Sequence, residues 1–171
     1  MTVIEVGTSY VGKVKENPPK SNRHPKIDEW LHLVHKPVGL AWCAAFTSGM
    51  FFEATGEMPD WSSASSQSIM RWGKEKHRYF TDPDHLLQCK GALFGWTQEL
   101  DKAHGHVGIL KGRWTHNGEV VAVQTIEGNT DAGGSRLGDG VYSLRRGVPT
   151  DGRHRLWFVD MTNLPGGNWW S

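Results

Sequence analysis

The sequence has too few cysteines, too little net charge and too few long apolar runs for several common classes of protein. Its two cysteines cannot build the disulfide framework of a small secreted scaffold. A formal net charge of +1 provides no basic field for nucleic acid and no acidic tail. No apolar run approaches the roughly 20 residues that span a bilayer. We therefore expect neither nucleic acid nor a membrane as a partner.

The N-terminus lacks the charged and apolar regions of a signal peptide, since residues 1–6 read MTVIEV. We expect synthesis in the cytoplasm, with any export by another route. The basic residues between 71 and 78, and the pair Arg145 and Arg146, are predicted to be solvated faces. No repeat or low-complexity linker divides the chain, and 37% hydrophobic residues suit a globular protein. Residues 1–171 are therefore predicted to form a single domain.

Hydrophobic spacing divides the chain into a helical first half and a strand-rich second half. The first dozen residues are ambiguous between helix and strand, because β-branched residues are frequent there. Residues 82–84 (DPD) are predicted to turn the chain. Helices are predicted from Pro25, at 41–55 and at 67–76, and strands at 92–96, 106–113, 119–126, 141–145 and 155–160, with a hairpin turn at Asn117-Gly118. This order predicts an α+β fold in which N-terminal helices pack on a C-terminal antiparallel sheet.

Cys43 lies where a loop gives way to the predicted helix 41–55. In the first turn of a helix, unpaired backbone N–H groups and the helix dipole favour a thiolate. A thiol becomes a competent nucleophile beside a base, and an acceptor that orients the base completes the set. His106 begins one predicted strand and Glu127 ends the next, so the hairpin between them brings these positions together. His106 is therefore a candidate base, with Glu127 or Asn129 as the acceptor.

Other interpretations of these residues stay open at this point. A lone buried cysteine is usually an inert small hydrophobe, and His104 competes with His106 for the role of base. Asn129 could simply cap a turn. A structural metal site made of Cys43, Cys89, His104 and His106 is a further alternative, although it lacks paired ligand spacing.

Six short segments carry a family likeness through their order and joint presence. They are 16–22 (ENPPKSN), 27–31 (IDEWL), 39–46 (GLAWCAAF), 105–109 (GHVGI), 127–130 (EGNT) and 138–142 (GDGVY). Together they resemble the CHAP amidase/peptidase domains of the NlpC/P60-like, papain-like group. The likeness covers nearly the whole chain and implies a papain-like α+β fold.

The resemblance also implies a role for each matching residue. Cys43 matches the nucleophile and His106 the general base, which selects His106 over His104. Glu127 matches the residue that orients the histidine, and Asn129 the one that assists. The implied activity is cleavage of peptidoglycan amide bonds, as an endopeptidase or an N-acetylmuramoyl-L-alanine amidase, in a phage lysin or a wall-remodelling enzyme.

The sequence departs from this family at two places. Relatives commonly carry Pro-Gly-Asp before the strand that precedes the histidine, where this chain has Lys90-Gly91-Ala92. Some relatives have an acidic calcium loop near the N-terminus, but residues 22–29 supply only Asp28 and Glu29 as carboxylates. Calcium takes about 6–8 oxygen ligands. We therefore predict no required metal and no cofactor.

The nine tryptophans are predicted to be core or groove walls, with Trp42 lining the substrate groove or packing in the core. The expected partner is bacterial peptidoglycan, met in the periplasm or outside the cell after release or delivery, and we expect a monomer. The same chemistry suits an antibacterial amidase effector, whose second partner would be an inhibitor protein. A non-catalytic wall-binding module, with tryptophans stacked on glycan, is the alternative without chemistry.

Overall fold

Helices occupy the first half of the chain in the computed structural model, which describes residues 1–89, 91–98, 104–148 and 154–164. The helices are α1 (Val3–Tyr10), α2 (Pro25–Leu33), α3 (Cys43–Thr55) and α4 (Ser66–Glu75), followed later by a short 3-10 helix (Pro83–Leu87). None of these described helices is long and apolar enough to cross a membrane.

Within the described residues, six strands form one antiparallel sheet in the order β1-β6-β2-β3-β4-β5, and β1 precedes the 3-10 helix. They are β1 (Tyr79–Phe80), β2 (Ala92–Gln98), β3 (Gly105–His116), β4 (Glu119–Thr130), β5 (Gly140–Gly147) and β6 (His154–Asp160). The predicted α+β fold with helices packed on an antiparallel sheet is confirmed.

The ambiguous N-terminal segment is a helix, because its first turn is capped from both sides. The Thr2 hydroxyl accepts from the Glu5 backbone N–H, and the Glu5 carboxylate accepts from the Thr2 backbone N–H. Val3 and Val6 are buried in the core, and Gly7 lies against Ile109 and Ile126 of the sheet. Capping and burial thus outweigh the weak helix propensity of β-branched residues.

The central helix α3 is buried along its first nine residues. Its apolar and small residues face neighbours on all sides, as expected for a helix inside the core. The absence of a side chain at Gly49 leaves room for the indole of Trp30, since a Cβ there would lie 2.4 Å from a ring atom. The helix ends at Gly56, whose φ of 79° is the left-handed conformation that glycine adopts most readily.

The β3–β4 hairpin turns at Asn117 and Gly118, with φ values of 51° and 85°. Two positive φ values define the tight turn that matches strand twist, so this prediction is confirmed. At its other end, the described β3–β4 pairing runs only as far as Ile109 opposite Ile126. Beyond this pair the start of α3 lies against β4, since a Cβ on Gly128 would lie 2.6 Å from the Trp42 ring and 2.7 Å from Phe46.

Two short elements differ from the predictions. Residues 82–84 do not simply turn the chain, because Asp82 caps the 3-10 helix by accepting from the Asp84 backbone N–H. Strand β1 was not predicted, because its two residues are too few to show a period. Antiparallel pairing of Tyr79 with Val159 and of Phe80 with Phe158 holds β1 at the edge of the sheet.

Candidate active site

Cys43 is the first residue of α3. Trp42 precedes the helix and no side chain caps it, so the first-turn N–H groups are not used by a cap. The backbone N–H groups of Val107 and Ala44 lie beside the Cys43 sulfur and help to lower the pKa of its thiol. Cys43 is buried, with 9% of the residue exposed.

His106 stands beside this thiol with no exposure to solvent. Its ring stacks on Trp96, the residue opposite it on β2, at 6.0 Å between centroids. Nε2 lies 2.8 Å from Oε2 of Glu127, although the N–H is not aligned with that oxygen, so the contact is an ion pair rather than a linear hydrogen bond. Since Nε2 faces the carboxylate, Nδ1 is the nitrogen available to the Cys43 thiol.

Glu127 is fully buried and is held by three side chains. Arg146 donates from Nε to Oε1 at 2.8 Å and from Nη2 to Oε2 at 2.5 Å. The Thr125 hydroxyl donates a short hydrogen bond to Oε1. With His106, these contacts surround a charge that would otherwise be very costly to bury. The carboxylate is therefore fixed in position as well as neutralised.

Glycines around the site permit close approach. A Cβ on Gly108 would lie 2.6 Å from Cγ of Glu127, so only glycine leaves room for the carboxylate beside β3. A Cβ on Gly128 would lie 2.6 Å from the Trp42 ring and 2.7 Å from Phe46. Gly128 thus allows β4 to touch the first turn of α3. These contacts explain Gly108 of the GHVG segment and Gly128 of the EGN segment.

Asn129 ties the start of α3 to the loop after β4. In the orientation that satisfies its amide, Oδ1 accepts from the Trp42 backbone N–H at 3.0 Å and Nδ2 donates to the Gly138 carbonyl at 3.0 Å. Its φ of 57° turns the chain to make this possible. Asn129 therefore positions the loop that carries Cys43, and these hydrogen bonds go to backbone rather than to the imidazole.

The pKa values follow from these contacts. Burial raises the pKa of the Cys43 thiol, but the neighbouring charge of His106 opposes burial and the pKa lies below its usual value. Burial lowers the pKa of His106, but Cys43 and Glu127 raise it to about 9. Burial raises the pKa of Glu127, but Arg146 and His106 lower it to about 2. These opposite shifts favour transfer of the Cys43 proton to His106, which would pair a thiolate with an imidazolium.

Cys89 has a different environment. Burial and the neighbouring Asp160 raise the pKa of its thiol to about 12. It lies in a cluster with His85 and Asp160, away from Cys43. The alternative metal site of Cys43, Cys89, His104 and His106 is therefore not assembled.

Two expectations need correction. Trp42 does not wall a groove, because its side chain is 0% exposed, stacks on Trp30 and donates to Glu16 at 3.0 Å. Arg146 does not belong to a solvated face, because its side chain is only 17% exposed and pairs with Glu127. The need of a buried carboxylate for a cation could have pointed to an arginine, but not to which one.

Trp96 and Arg146, which contact His106 and Glu127, also line a pocket of about 590 Å³. Each of these two side chains touches a site residue with one part and the pocket with another. The other lining residues are Gln98, Gly134, Ser135, Arg136, Leu137, Arg145, Gly147 and Leu156.

In comparisons with known proteins, no family model, no curated protein and no solved structure matches this chain.

Proposed function

We propose that this protein is a cysteine-dependent hydrolase that cleaves amide bonds in bacterial peptidoglycan. The observation that carries the proposal is the buried series Cys43, His106 and Glu127, in which one imidazole lies between a thiol and a carboxylate. That order suits nucleophile, base and orienting group. The CHAP-like segments of the sequence supply the substrate class.

In the first half-reaction, the Cys43 thiolate attacks the carbonyl carbon of the scissile amide. The carbonyl oxygen becomes an oxyanion, and the backbone N–H of Cys43 at the start of α3 is the donor suited to stabilise it. The protonated His106 then gives its proton to the leaving amine as the C–N bond breaks. A thioester on Cys43 remains, and His106 is neutral.

In the second half-reaction, water attacks the thioester. Neutral His106 accepts a proton from the water, and Cys43 leaves as a thiolate when the carboxylic acid product is released. Glu127 stabilises the imidazolium in both steps and holds the ring by its Nε2 side. Asn129 keeps the Cys43 loop in place.

The pocket beside Trp96 and Arg146 is the place we assign to the peptide portion of the substrate. Its lining includes Trp96, Arg136 and Arg145, and the two guanidinium groups suit a peptide that bears free carboxylates. Trp96 also supports the ring of His106, so a substrate that packs on Trp96 is held next to the base.

Purified peptidoglycan tests the activity directly. Cys43→Ala should abolish release of soluble fragments while the melting temperature changes little, because the variant loses one buried sulfur and no packing group larger than that. Cys89→Ala is the matched control, since it removes the other buried thiol and should leave lysis intact. Full lysis by Cys43→Ala would overturn the proposal. Mass spectrometry of the fragments would identify the bond that is cut.

A wall-binding module without chemistry is less well supported. Among the described tryptophans, Trp114 is the one that is exposed, so there is no broad surface of indoles for glycan. Iodoacetamide separates the two functions. If the protein is an enzyme, iodoacetamide should alkylate Cys43 much faster than Cys89 near neutral pH, because the pKa values of the two thiols are shifted in opposite directions. Equally slow labelling of both would favour the binding module.

A further inference from the structure

A second cluster of reactive side chains lies away from the candidate active site. His85, Cys89 and Asp160 each bring one ligand atom to a common point, and these atoms all lie within 4.8 Å of one another. His85 belongs to the 3-10 helix, Cys89 follows that helix, and Asp160 is the last residue of β6. Neither peptidoglycan cleavage nor the catalytic residues require this arrangement.

The ligand set has a recognisable preference. A thiolate, an imidazole and a carboxylate together suit zinc and related divalent transition metals, whereas calcium and magnesium take oxygen ligands. Bond lengths of about 2.0–2.3 Å to a tetrahedral metal would place the ligand atoms roughly 3.5 Å apart. The cluster would therefore need to contract by about 1 Å. His85 is exposed, so its side chain can move without repacking the core.

The existing contacts of Cys89 and Asp160 leave ligand atoms for a metal. The buried Cys89 thiol donates to the His85 carbonyl oxygen at 3.6 Å. Oδ1 of Asp160 accepts from the Thr162 backbone N–H at 2.7 Å. A carboxylate has a second oxygen, and that oxygen can still bind a metal.

A pocket of about 600 Å³ adjoins the three residues and gives room for a water ligand. Lys76, His77 and Arg78 line the same pocket. Arg78 donates to the backbone oxygens of Asp160 and Thr162 rather than to the Asp160 carboxylate. The two cations beside the pocket oppose a metal ion, so we expect moderate rather than extreme affinity.

We propose that His85, Cys89 and Asp160 bind one divalent transition metal of the zinc type, with water in the fourth position. The metal would join the 3-10 helix to the end of β6. That helix already holds the start of β4, since Oδ1 of Asp84 accepts from the Val120 backbone N–H at 2.6 Å. The site is structural in this assignment and independent of peptide cleavage.

Cobalt is the probe of choice, because thiolate ligation gives Co²⁺ a charge-transfer band in the near ultraviolet and tetrahedral ligation gives it intense visible bands. Cys43→Ala protein is titrated with CoCl₂, so that Cys89 is the only thiol in the chain. We expect both sets of bands to saturate at one cobalt per chain and to disappear when ZnCl₂ is added. Absence of the charge-transfer band at saturating cobalt would overturn the proposal.

Three variants assign the ligands by calorimetric titration with ZnCl₂. In the Cys43→Ala background, Cys89→Ser, His85→Ala and Asp160→Asn should each weaken binding at least tenfold. Asp160→Asn keeps the oxygen that accepts from Thr162, so it serves even if another variant folds poorly. His116→Ala removes an exposed histidine at the far end of β3 and should leave binding unchanged. If the Asp160→Asn variant and the His85→Ala variant both bind zinc as tightly as their parent, zinc binds elsewhere. That result would contradict the assignment.

Discussion

Removing Arg146 tests how Glu127 stays ionised inside the protein. Arg146 makes two hydrogen bonds to this carboxylate, which has no exposure to solvent. In Arg146→Ala the charge of Glu127 keeps only the partial support of Thr125 and His106. Breaking a buried ion pair from one side costs about 3–5 kcal/mol. Since the Arg146 side chain is 17% exposed, we expect the lower end, about 3 kcal/mol of unfolding free energy.

Thermal and urea unfolding measure this loss. In a chain of this size, 1 kcal/mol corresponds to about 2–4 °C, so the Tm of Arg146→Ala should fall by roughly 6–12 °C. Arg145→Ala is the matched control, because Arg145 is the preceding residue of the same strand and its guanidinium lies over the Trp114 ring at 5.1 Å. An exposed cation–π contact contributes about 0.5–1 kcal/mol, so the control should lose far less.

A double-mutant cycle with Glu127→Gln isolates the pair. Once the carboxylate is neutral, removing Arg146 should cost much less, which gives a coupling energy of about 2–3 kcal/mol. The reasoning is refuted if Arg146→Ala melts within about 2 °C of Arg145→Ala. A coupling energy close to zero would refute it equally.

Three further predictions follow from the site. Gly108→Ala should cost about 1–3 kcal/mol of unfolding free energy in urea, because its Cβ would meet Glu127. The control is Gly112→Ala on the same strand, where the nearest contact of a Cβ is at 3.9 Å and the unfolding free energy should change by no more than about 0.5 kcal/mol. The pH profile of kcat/KM should rise as Cys43 loses its proton, at a pH below the usual range of a thiol, and fall near pH 9 as His106 loses its own; a profile still rising above pH 9 would contradict the ion pair. Glu127→Gln removes a group that raises the pKa of His106, so the descending limb of that profile should move to lower pH, and an unmoved limb would mean that Glu127 does not act on the imidazole.

Local sequence signals were sufficient for several elements. The turn at Asn117-Gly118 was predicted correctly because two adjacent positive φ values favour these residue types wherever they stand. The end of α3 at Gly56 was predicted for a similar reason. The position of Cys43 in the first turn followed from the change from loop to apolar run.

Elements that depend on distant partners were harder to predict. The first helix contains β-branched residues at Val3 and Val6, and only capping and burial decide its form. Strand β1 exists because its two residues pair with β6. The burial of Trp42 could not be predicted from its residue type, since an indole suits the wall of a groove and the core equally well.

The sequence by itself determined the α+β order of elements, the place of Cys43 in the first turn of a helix and the hairpin that brings His106 near Glu127, because each depends on neighbouring residues and backbone preferences. Tertiary structure alone decided that Arg146 and Thr125 hold Glu127, and that Cys89 lies with His85 and Asp160. Such contacts depend on strand register, sheet twist and side-chain reach, and residues far apart in the chain meet only after the whole sheet has formed.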